Sequence, residues 1–201
     1  MNNLLVYLIV LLLSACSKSE PVFEKLSDDA VILAFGDSLT YGTGASKDNS
    51  YPKTLSTLSD RKVINAGIPG EISREGLDRL PELLDHYQPE LLILIHGGND
   101  ILRKLPRQQT VDNLNQMIDT ANQRNIKVVM LGVPNPGLFL ISSAEFYQQV
   151  ANEQKIPIDI ETLPEILSSN HLKSDMIHPN SDGYKVMAEN IYNLLVNTGA
   201  L

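Results

Sequence analysis

Runs of consecutive apolar residues recur along the chain, and most of them end at a glycine. The four clearest runs occupy residues 31–35, 62–66, 91–95 and 127–131, and the second is the weakest. Apolar residues at consecutive positions are typical of a strand buried on both faces, as in a parallel sheet. A fifth, short run at 156–158 contains Pro157, which has no amide hydrogen to donate and therefore favours an edge of the sheet.

Between these runs, apolar residues recur at the spacing of an amphipathic helix. The pattern predicts helices around residues 77–87, 111–121, 144–154 and 187–195. Strands that alternate with helices indicate right-handed crossovers and a parallel sheet covered on both faces. The predicted fold class is therefore α/β, a three-layer α/β/α sandwich whose central parallel sheet has about five strands.

Composition places the chain among globular proteins of ordinary size. Of its 201 residues, 43% are hydrophobic and 20% are charged, which suits a single folded domain. The net charge is −8, and an acidic surface repels phosphate backbones, so we expect no nucleic-acid partner. The same charge gives no attraction to anionic lipid headgroups. We expect the protein to be a monomer.

The N-terminus has the pattern of an export signal. Residues 4–13 are apolar and uncharged; a span of the bilayer needs about 20 such residues, whereas this length is typical of a signal-peptide core. The sequence Leu13-Ser14-Ala15-Cys16 follows and resembles a bacterial lipobox, in which the cysteine is lipidated and becomes the first mature residue. The sequence has no other cysteine than Cys16.

We therefore predict a lipoprotein signal peptide at 1–15, a lipidated N-terminus and tether at 16–29, and one domain at 30–201. The protein would then be held by its lipid in the bacterial cell envelope, which supplies the membrane attachment that the acidic surface lacks. The alternative is an ordinary secretory signal with an incidental Cys16, since no Lys or Arg precedes the apolar core.

Polar residues cluster directly after three of the predicted strands. These clusters are Gly36-Asp37-Ser38, Gly67-Ile68-Pro69-Gly70 and Gly97-Gly98-Asn99-Asp100. Because functional residues of a parallel α/β sheet gather at the carboxyl ends of its strands, the three clusters are expected to face one crevice.

Ser38 is the candidate nucleophile. It follows a buried strand and a glycine, where a helix beginning nearby would direct backbone amides toward the serine. The alternative is that Ser38 only caps a helix. The Gly-x-Ser-x-Gly elbow of α/β-hydrolases is not indicated, because Thr40 stands where its second glycine would be.

Asp175 and His178 are the candidate carboxylate and base that a nucleophilic serine requires. Pro179 restricts His178 to extended conformations and so predicts that the histidine lies on a loop. One alternative is a capping aspartate beside a surface histidine. Another is a metal site formed by both residues together with His171.

Asn99 and Gly70 are candidate donors to an oxyanion. A side-chain amide in a glycine-lined crevice suits this role, and a glycine amide supplies a backbone donor in the same way. The alternative is that both residues only shape turns, as Gly and Asn commonly do.

Four motifs, in this order along the chain, resemble the conserved blocks of the GDSL, or SGNH, hydrolase family. They are Phe35-Gly36-Asp37-Ser38-Leu39, Asn65-Ala66-Gly67-Ile68-Pro69-Gly70-Glu71, Gly97-Gly98-Asn99-Asp100 and Asp175-Met176-Ile177-His178-Pro179-Asn180. The resemblance covers nearly all of the predicted domain. It is greatest to the bacterial thioesterase I, lysophospholipase and arylesterase subgroup.

The resemblance implies the SGNH hydrolase fold, which is flavodoxin-like. It also implies Ser38 as nucleophile, His178 as general base and Asp175 as its partner. The implied oxyanion donors are the backbone amides of Ser38 and Gly70 and the side chain of Asn99. An acyl-enzyme would form on Ser38 and be hydrolysed by water, without a metal or an organic cofactor.

The resemblance also implies supporting roles at the same crevice. Gly67 is a second candidate donor, but the family pattern favours Gly70. Asp37 is expected to shape the turn and Asp100 to fix its loop, whereas the stretch 101–106 is expected to be a mobile loop beside the acyl groove.

Three functions are compatible with these residues. The first is a lipid-anchored esterase, thioesterase or lysophospholipase, and the second is a carbohydrate O-acetylesterase of the cell envelope. The third is a binding module that has lost turnover, which the presence of all four reactive side chains argues against. Apolar residues Leu102, Leu105 and 138–141 are expected to rim the crevice and would favour an acyl chain over a sugar.

Overall fold

A central sheet of five parallel strands forms the middle layer of the computed structural model, which describes residues 22–135 and 142–201. The strands are β1 Val31–Gly36, β2 Lys62–Gly67, β3 Leu91–Ile95, β4 Lys127–Leu131, β5 Pro134–Asn135, β6 Ser142–Ser143 and β7 Ile158–Asp159. The sheet has the order β2-β1-β3-β4-β7, whereas β5 and β6 form a separate antiparallel pair. The predicted α/β class with five parallel strands is confirmed.

Eight α-helices accompany the strands in the described residues. They are α1 Ser38–Tyr41, α2 Tyr51–Ser59, α3 Ser73–Tyr87, α4 Gly98–Leu102, α5 Arg107–Asn122, α6 Glu145–Gln154, α7 Thr162–Ser168 and α8 Ser181–Asn197, with a short 3₁₀ turn at Lys47–Asn49. The four predicted helices are confirmed as α3, α5, α6 and α8. The sequence pattern did not predict α1, α2, α4 or α7.

The helices form two layers that enclose the sheet. Contacts join α3 to α5 and α5 to α6 in one layer, and α8 to both α2 and α7 in the other. Between the layers, β3 is buried at every position and β4 at all but its first. The edge strand β2 is only partly covered, which explains its weaker apolar pattern.

The register of the sheet brings three loops to the same edge. Gly36 at the end of β1 pairs with Gly67 of β2 on one side and with Ile95 of β3 on the other. The segments that follow these three strands therefore start side by side, as the clustering of polar residues predicted.

The fifth strand differs in position from its prediction. It lies at the edge of the sheet as expected, but it spans Ile158–Asp159 rather than 156–158. The amide of Ile156 donates to Ala151 and so belongs to the turn that ends α6. Pro157 precedes the strand and contributes only its carbonyl, which accepts from Met130 at 3.0 Å.

The first described residues lie at the amino ends of the strands, opposite the three loops that follow β1, β2 and β3. Phe23 donates to the carbonyl of Thr198 and Leu26 to that of Ala200, each at 2.9 Å, just beyond the end of α8. Of the helices described in 22–135 and 142–201, none combines the length and the apolar content needed to cross a bilayer. The predicted signal peptide, Cys16 and the apolar run 138–141 lie outside the described residues.

Candidate active site

Ser38 is the first residue of α1 and follows β1 after a tight turn. The turn needs glycine at position 36, because a Cβ there would lie 1.9 Å from the carbonyl oxygen of Ile95. Asp37 caps the helix, accepting the amide of Leu39 on Oδ1 at 3.1 Å, as its expected role in the turn requires. The serine is thus fixed by close backbone packing at the sheet edge.

A line of hydrogen bonds joins the three candidate reactive side chains. Oγ of Ser38 lies 3.0 Å from Nε2 of His178, and Nδ1 of His178 lies 2.8 Å from Oδ2 of Asp175. The other oxygen of Asp175 accepts the backbone amides of Ile177 and His178, each at 2.8 Å. The fold therefore brings together a serine and a histidine that are 140 positions apart in the sequence.

The hydrogen bonds also indicate the protonation state of this line. Burial opposes ionisation of Asp175, but hydrogen bonds from the His178 ring and from the amides of Ile177 and His178 outweigh it and lower the pKa of Asp175. An ionised carboxylate accepts from Nδ1–H of His178, so in the neutral imidazole the unprotonated nitrogen is Nε2, which faces Ser38. This is the tautomer that a general base needs.

His178 lies on a loop between α7 and α8, as Pro179 predicted. The amide of Ser174 donates to the His178 carbonyl at 2.9 Å, and Lys173 forms a bridge with Pro179. Asn180 then caps α8 by accepting the amide of Gly183 at 3.0 Å. The loop is therefore held on both sides of the histidine.

The backbone amides of Ser38 and Gly70 have no hydrogen-bond acceptor among the described residues, so both are available to a ligand. Gly70 has a φ of 82°, which glycine adopts without strain, and its carbonyl accepts from Arg103 at 2.7 Å. The amide of Gly67, by contrast, donates to the side chain of Asn65 at 3.0 Å. The geometry thus favours Gly70 over Gly67 as a donor.

Asn99 is the second residue of α4, and its side-chain amide faces the same crevice. Nδ2 donates to the carbonyl of Glu71 at 3.0 Å and to Oδ2 of Asp37 at 3.2 Å. Burial raises the pKa of Asp37 despite the nearby histidines and the Leu39 amide. Since both protons of Nδ2 have acceptors, donation to an oxyanion requires sharing or replacing one of these contacts.

The neighbouring residues refine two further predictions. Asp100 is buried and accepts both the amide and the hydroxyl of Ser73, which ties α4 to the start of α3. The stretch 101–106 is not wholly a loop, because Ile101 and Leu102 complete α4. Together with Gly98, Asn99 and Asp100 they form a helix of little more than one turn, which is too short for the apolar pattern to reveal.

An apolar cleft opens beside Ser38 and His178. Its apolar walls come from loops and helices of both layers: Leu39, Leu102, Val133, Pro134, Leu167, Met176 and Ile177. Leu102 lines the cleft as predicted, whereas Leu105 faces a neighbouring depression with Ile101 and Phe146. Sequence reasoning missed the contributions of Val133 and Leu167, which no local pattern connects with the site.

The metal alternative finds no support in the geometry. Nδ1 of His171 contacts Oγ of Ser169 at 2.8 Å, and His171 takes no part in the Asp175–His178 pair. Within the part of the chain that the structure describes, no three His, Cys, Asp or Glu side chains are grouped to bind a metal ion.

Sequence reasoning assigned no role to Glu71, Arg79 and His96, which form a hydrogen-bonded cluster behind Gly70 and Asn99, with Glu71 and His96 buried. A signal was available in one of them. His96 directly follows the apolar run of β3, where the pattern indicates burial. A polar residue at a position that the pattern marks as buried requires a partner.

A hydrogen-bonded serine, histidine and aspartate at the carboxyl edge of a parallel α/β sheet define the class of serine hydrolases. Residues 34–186 match the model of the GDSL-like lipase/acylhydrolase family, and the chain belongs to that family. It is thus a hydrolase of the GDSL, or SGNH, esterase family.

Individual relatives resemble nearly the whole described domain. The chain is 31% identical over 165 residues to thioesterase 1/protease 1/lysophospholipase L1 of Escherichia coli K12, covering 79% of both chains. It is 30% identical to an arylesterase of Vibrio mimicus, covering 98% of both. The crystal structure of TesA superposes with a TM-score of 0.75 at 29% identity, covering 82% of this chain and 97% of that one.

Proposed function

We propose that the protein hydrolyses carboxylic esters or thioesters of acyl substrates, with Ser38, His178 and Asp175 as its catalytic triad. The proposal rests chiefly on the hydrogen-bonded line from Ser38 through His178 to Asp175, with distances of 3.0 and 2.8 Å. Such a line supplies a nucleophile, a base in the required tautomer and a carboxylate that stabilises the imidazolium.

In the first step, Nε2 of His178 takes the proton of Ser38 as Oγ attacks the acyl carbonyl carbon. The carbonyl oxygen becomes an oxyanion, which the free amides of Ser38 and Gly70 and the side chain of Asn99 would stabilise. The bond to the leaving oxygen or sulfur then breaks, and His178 donates its proton to the departing alcohol or thiol.

In the second step, water replaces the leaving group. The water oxygen attacks the acyl carbon while Nε2 of His178 accepts a proton from the water. The oxyanion forms again in the same position. The bond to Ser38 breaks, His178 returns the proton to Oγ, and the carboxylic acid is released. Atoms and protons balance without any further group.

The apolar cleft supports an acyl substrate. Met176 is 85% exposed and Leu102 is 43% exposed, so both side chains are accessible at the mouth of the cleft. Burying apolar surface is favourable by about 25 cal/mol per Å², which an acyl chain gains and a sugar does not. The names of the similar proteins, a thioesterase and lysophospholipase and an arylesterase, agree with this substrate class.

We further propose that Cys16 carries a lipid that holds the protein in the cell envelope. The support is the lipobox-like sequence ending at Cys16 and the preceding apolar run at 4–13. Mass spectrometry of the mature N-terminus tests this, since a lipidated chain begins at Cys16 and carries the added acyl mass. A chain cleaved elsewhere, or one with an unmodified cysteine, would contradict the anchor.

Hydrolysis of p-nitrophenyl esters with acyl chains of increasing length tests the proposed activity. We expect the purified chain to hydrolyse them and Ser38→Ala to lose at least about 10³-fold in kcat, since it removes the nucleophile while leaving the fold intact. A preference for long chains would support the acyl cleft, whereas activity on acetyl esters alone would favour an O-acetylesterase. Equal activity of the protein and Ser38→Ala would refute the proposal.

A further inference from the structure

We propose that Glu71 is a positioning residue that fixes the spacing of two oxyanion donors, Gly70 and Asn99. Two side chains from other elements, the half-buried Arg79 and the fully buried His96, hold it in place. The inference rests on the proposed function, because this spacing matters only when an oxyanion forms in the crevice.

The backbone of Glu71 lies directly between the two donors. It is bonded directly to Gly70, whose amide is one of the donors, and its own amide donates to the carbonyl of Ile68 at 3.2 Å, which closes a tight turn around Gly70. Its own carbonyl accepts Nδ2 of Asn99 at 3.0 Å. A shift of the Glu71 backbone would therefore displace the Gly70 amide and the Asn99 side chain together.

The side chain of Glu71 is only 5% exposed, and both of its oxygens are engaged. Arg79 donates Nε to Oε1 and Nη2 to Oε2, each at 2.6 Å, while Nε2 of His96 lies 3.0 Å from Oε2. Burial disfavours the charged form, but the bonds from His96 and Arg79 outweigh it and lower the pKa of Glu71. The carboxylate of Glu71 is thus kept ionised, and three hydrogen bonds fix its position.

Arg79 connects this carboxylate to the ends of two strands. Its Nη2 also donates to the carbonyls of Ala66 at 2.9 Å and Gly36 at 3.2 Å, which lie at the carboxyl ends of β2 and β1. Its guanidinium lies 4.1 Å from the centroid of the Phe35 ring. Through Arg79, Glu71 is therefore held in a fixed position relative to the strand ends, one of which positions Ser38.

His96 is fully buried and has no room to move. The amide of Gly97 donates to Nδ1 at 2.9 Å, so the proton resides on Nε2 and is donated to Glu71. Gly76 of α3 also packs against the Nε2 end of the ring, where an added Cβ would lie 2.3 Å from Nε2. The glycine thus allows the helix to pack directly against the ring.

Stability alone does not account for this cluster. A buried ion pair loses its hydration and is often no more stabilising than apolar side chains of similar volume. Its bonds are instead rigid and directional, and they converge on the residue that joins Gly70 to Asn99. That placement fits a role in the geometry of the oxyanion donors.

Glu71→Gln tests the role, because its amide would face a donor of Arg79 or His96 and break one contact. We expect kcat to fall about 10- to 100-fold with KM unchanged, as for a misplaced oxyanion donor. Affinity for a trifluoromethyl ketone, which mimics the oxyanion, should fall by the same factor. Asp85→Asn is the matched control, since it breaks a similar pair with Arg124 on the surface and should leave kcat unchanged.

A second pair of variants separates positioning from stability. In His96→Gln the side-chain amide nitrogen reaches about as far as Nε2 and can still donate to Glu71, whereas the shorter side chain of His96→Asn cannot. Both remove the ring from the core, so both lower the unfolding midpoint. We expect His96→Gln to keep most of the wild-type kcat and His96→Asn to lose at least about 10-fold.

The outcomes distinguish this inference from the proposed function. If Ser38→Ala abolishes hydrolysis but His96→Asn and His96→Gln have equal kcat, Glu71 does not position the donors, and this conclusion holds even if Glu71→Gln fails to fold. A loss confined to KM would overturn the inference in the same way. If Ser38→Ala is as active as the wild type, the proposed function fails, and the inference fails with it.

Discussion

At the scale of single residues, the two oxygens of Asp175 have different tasks. Oδ1 accepts two backbone amides and so shapes the loop, while Oδ2 accepts from the ring of His178. A single carboxylate therefore sets the loop conformation and the histidine tautomer together. This division permits a substitution that disturbs only the second task.

Asp175→Asn should lower kcat by about 10⁴-fold while leaving the fold intact. The amide oxygen can still accept the backbone amides, but its NH₂ would face Nδ1 of His178. The ring proton would then move to Nε2 and point at Ser38, which leaves no base. Ester hydrolysis measures the loss, and Asp182→Asn, an exposed carboxylate in the first turn of α8, is the control. Retained activity would exclude the tautomer argument.

Glu71 should make the protein less stable in acid. Its native pKa lies below the ordinary value of 4.5, chiefly because bonds from His96 and Arg79 outweigh burial. The stability it supplies is therefore fully present above pH 4.5 and is lost as the pH falls through the lower native pKa. Thermal unfolding between pH 6 and pH 3 should show a smaller decrease in midpoint for Glu71→Gln than for the wild type. Parallel curves would contradict the coupling.

At the scale of elements, the end of one helix fixes the loop that holds the base. Asn180 accepts the amide of Gly183 as the N-cap of α8 and donates Nδ2 to the carbonyl of His171 at 2.8 Å. Its own amide donates to the carbonyl of Leu172 at 2.9 Å. The long helix α8 thus anchors the segment 171–180, and its packing against α2 and α7 is transmitted to His178.

Asn180→Ala should lower the free energy of unfolding by about 1 kcal/mol, the usual cost of losing an N-cap. Asn180→Asp should recover part of this loss, since a carboxylate accepts the Gly183 amide and suits the positive end of a helix. Urea denaturation gives both values. An alanine variant as stable as the wild type would show that the cap contributes nothing.

At the scale of the whole molecule, the described chain begins at the edge of the sheet opposite the site. Phe23 pairs with Thr198 beyond the end of α8, whereas Asn180 at its start lies beside His178. The 17 residues of α8 separate these ends by about 25 Å. A tether from Cys16 to Val22 reaches at most about 21 Å. A lipid on Cys16 would therefore hold the site away from its own bilayer.

This geometry predicts a preference for substrates outside the anchoring membrane. Lipidated protein in liposomes should hydrolyse a water-soluble ester freely and phospholipid of the same liposome slowly. Inserting about 20 Gly/Ser residues after Ser17 should raise only the second rate, because the tether could then reach around the domain. Cys16→Ser, which cannot be lipidated, is the control. An unchanged rate on membrane phospholipid would contradict the predicted orientation.

Much of this architecture could be predicted locally. The apolar runs of β1, β3 and β4 and the helical spacing of α3, α5, α6 and α8 are repeated long enough to be distinct. The helices missed were short: α1 and α4 have four and five residues and α7 has seven. The two-residue strand β7 was predicted, but at a slightly earlier position. In α2 the buried Tyr51 and Leu55 repeat only once within nine residues. Such segments gain their structure from tertiary packing rather than from their own pattern.

The sequence by itself determined the fold class and the motifs that contain Ser38, Asn99 and His178, because strand burial and turn chemistry depend on neighbouring residues. Only the tertiary structure decided which groups meet: Ser38 with His178 across 140 positions, and Glu71 with His96 across 25. Hydrogen bonds are effective only within about 3 Å, and that distance is set by how helices and strands pack. The free amide of Gly70 and the hydrogen-bonded cluster behind it therefore became evident only in three dimensions.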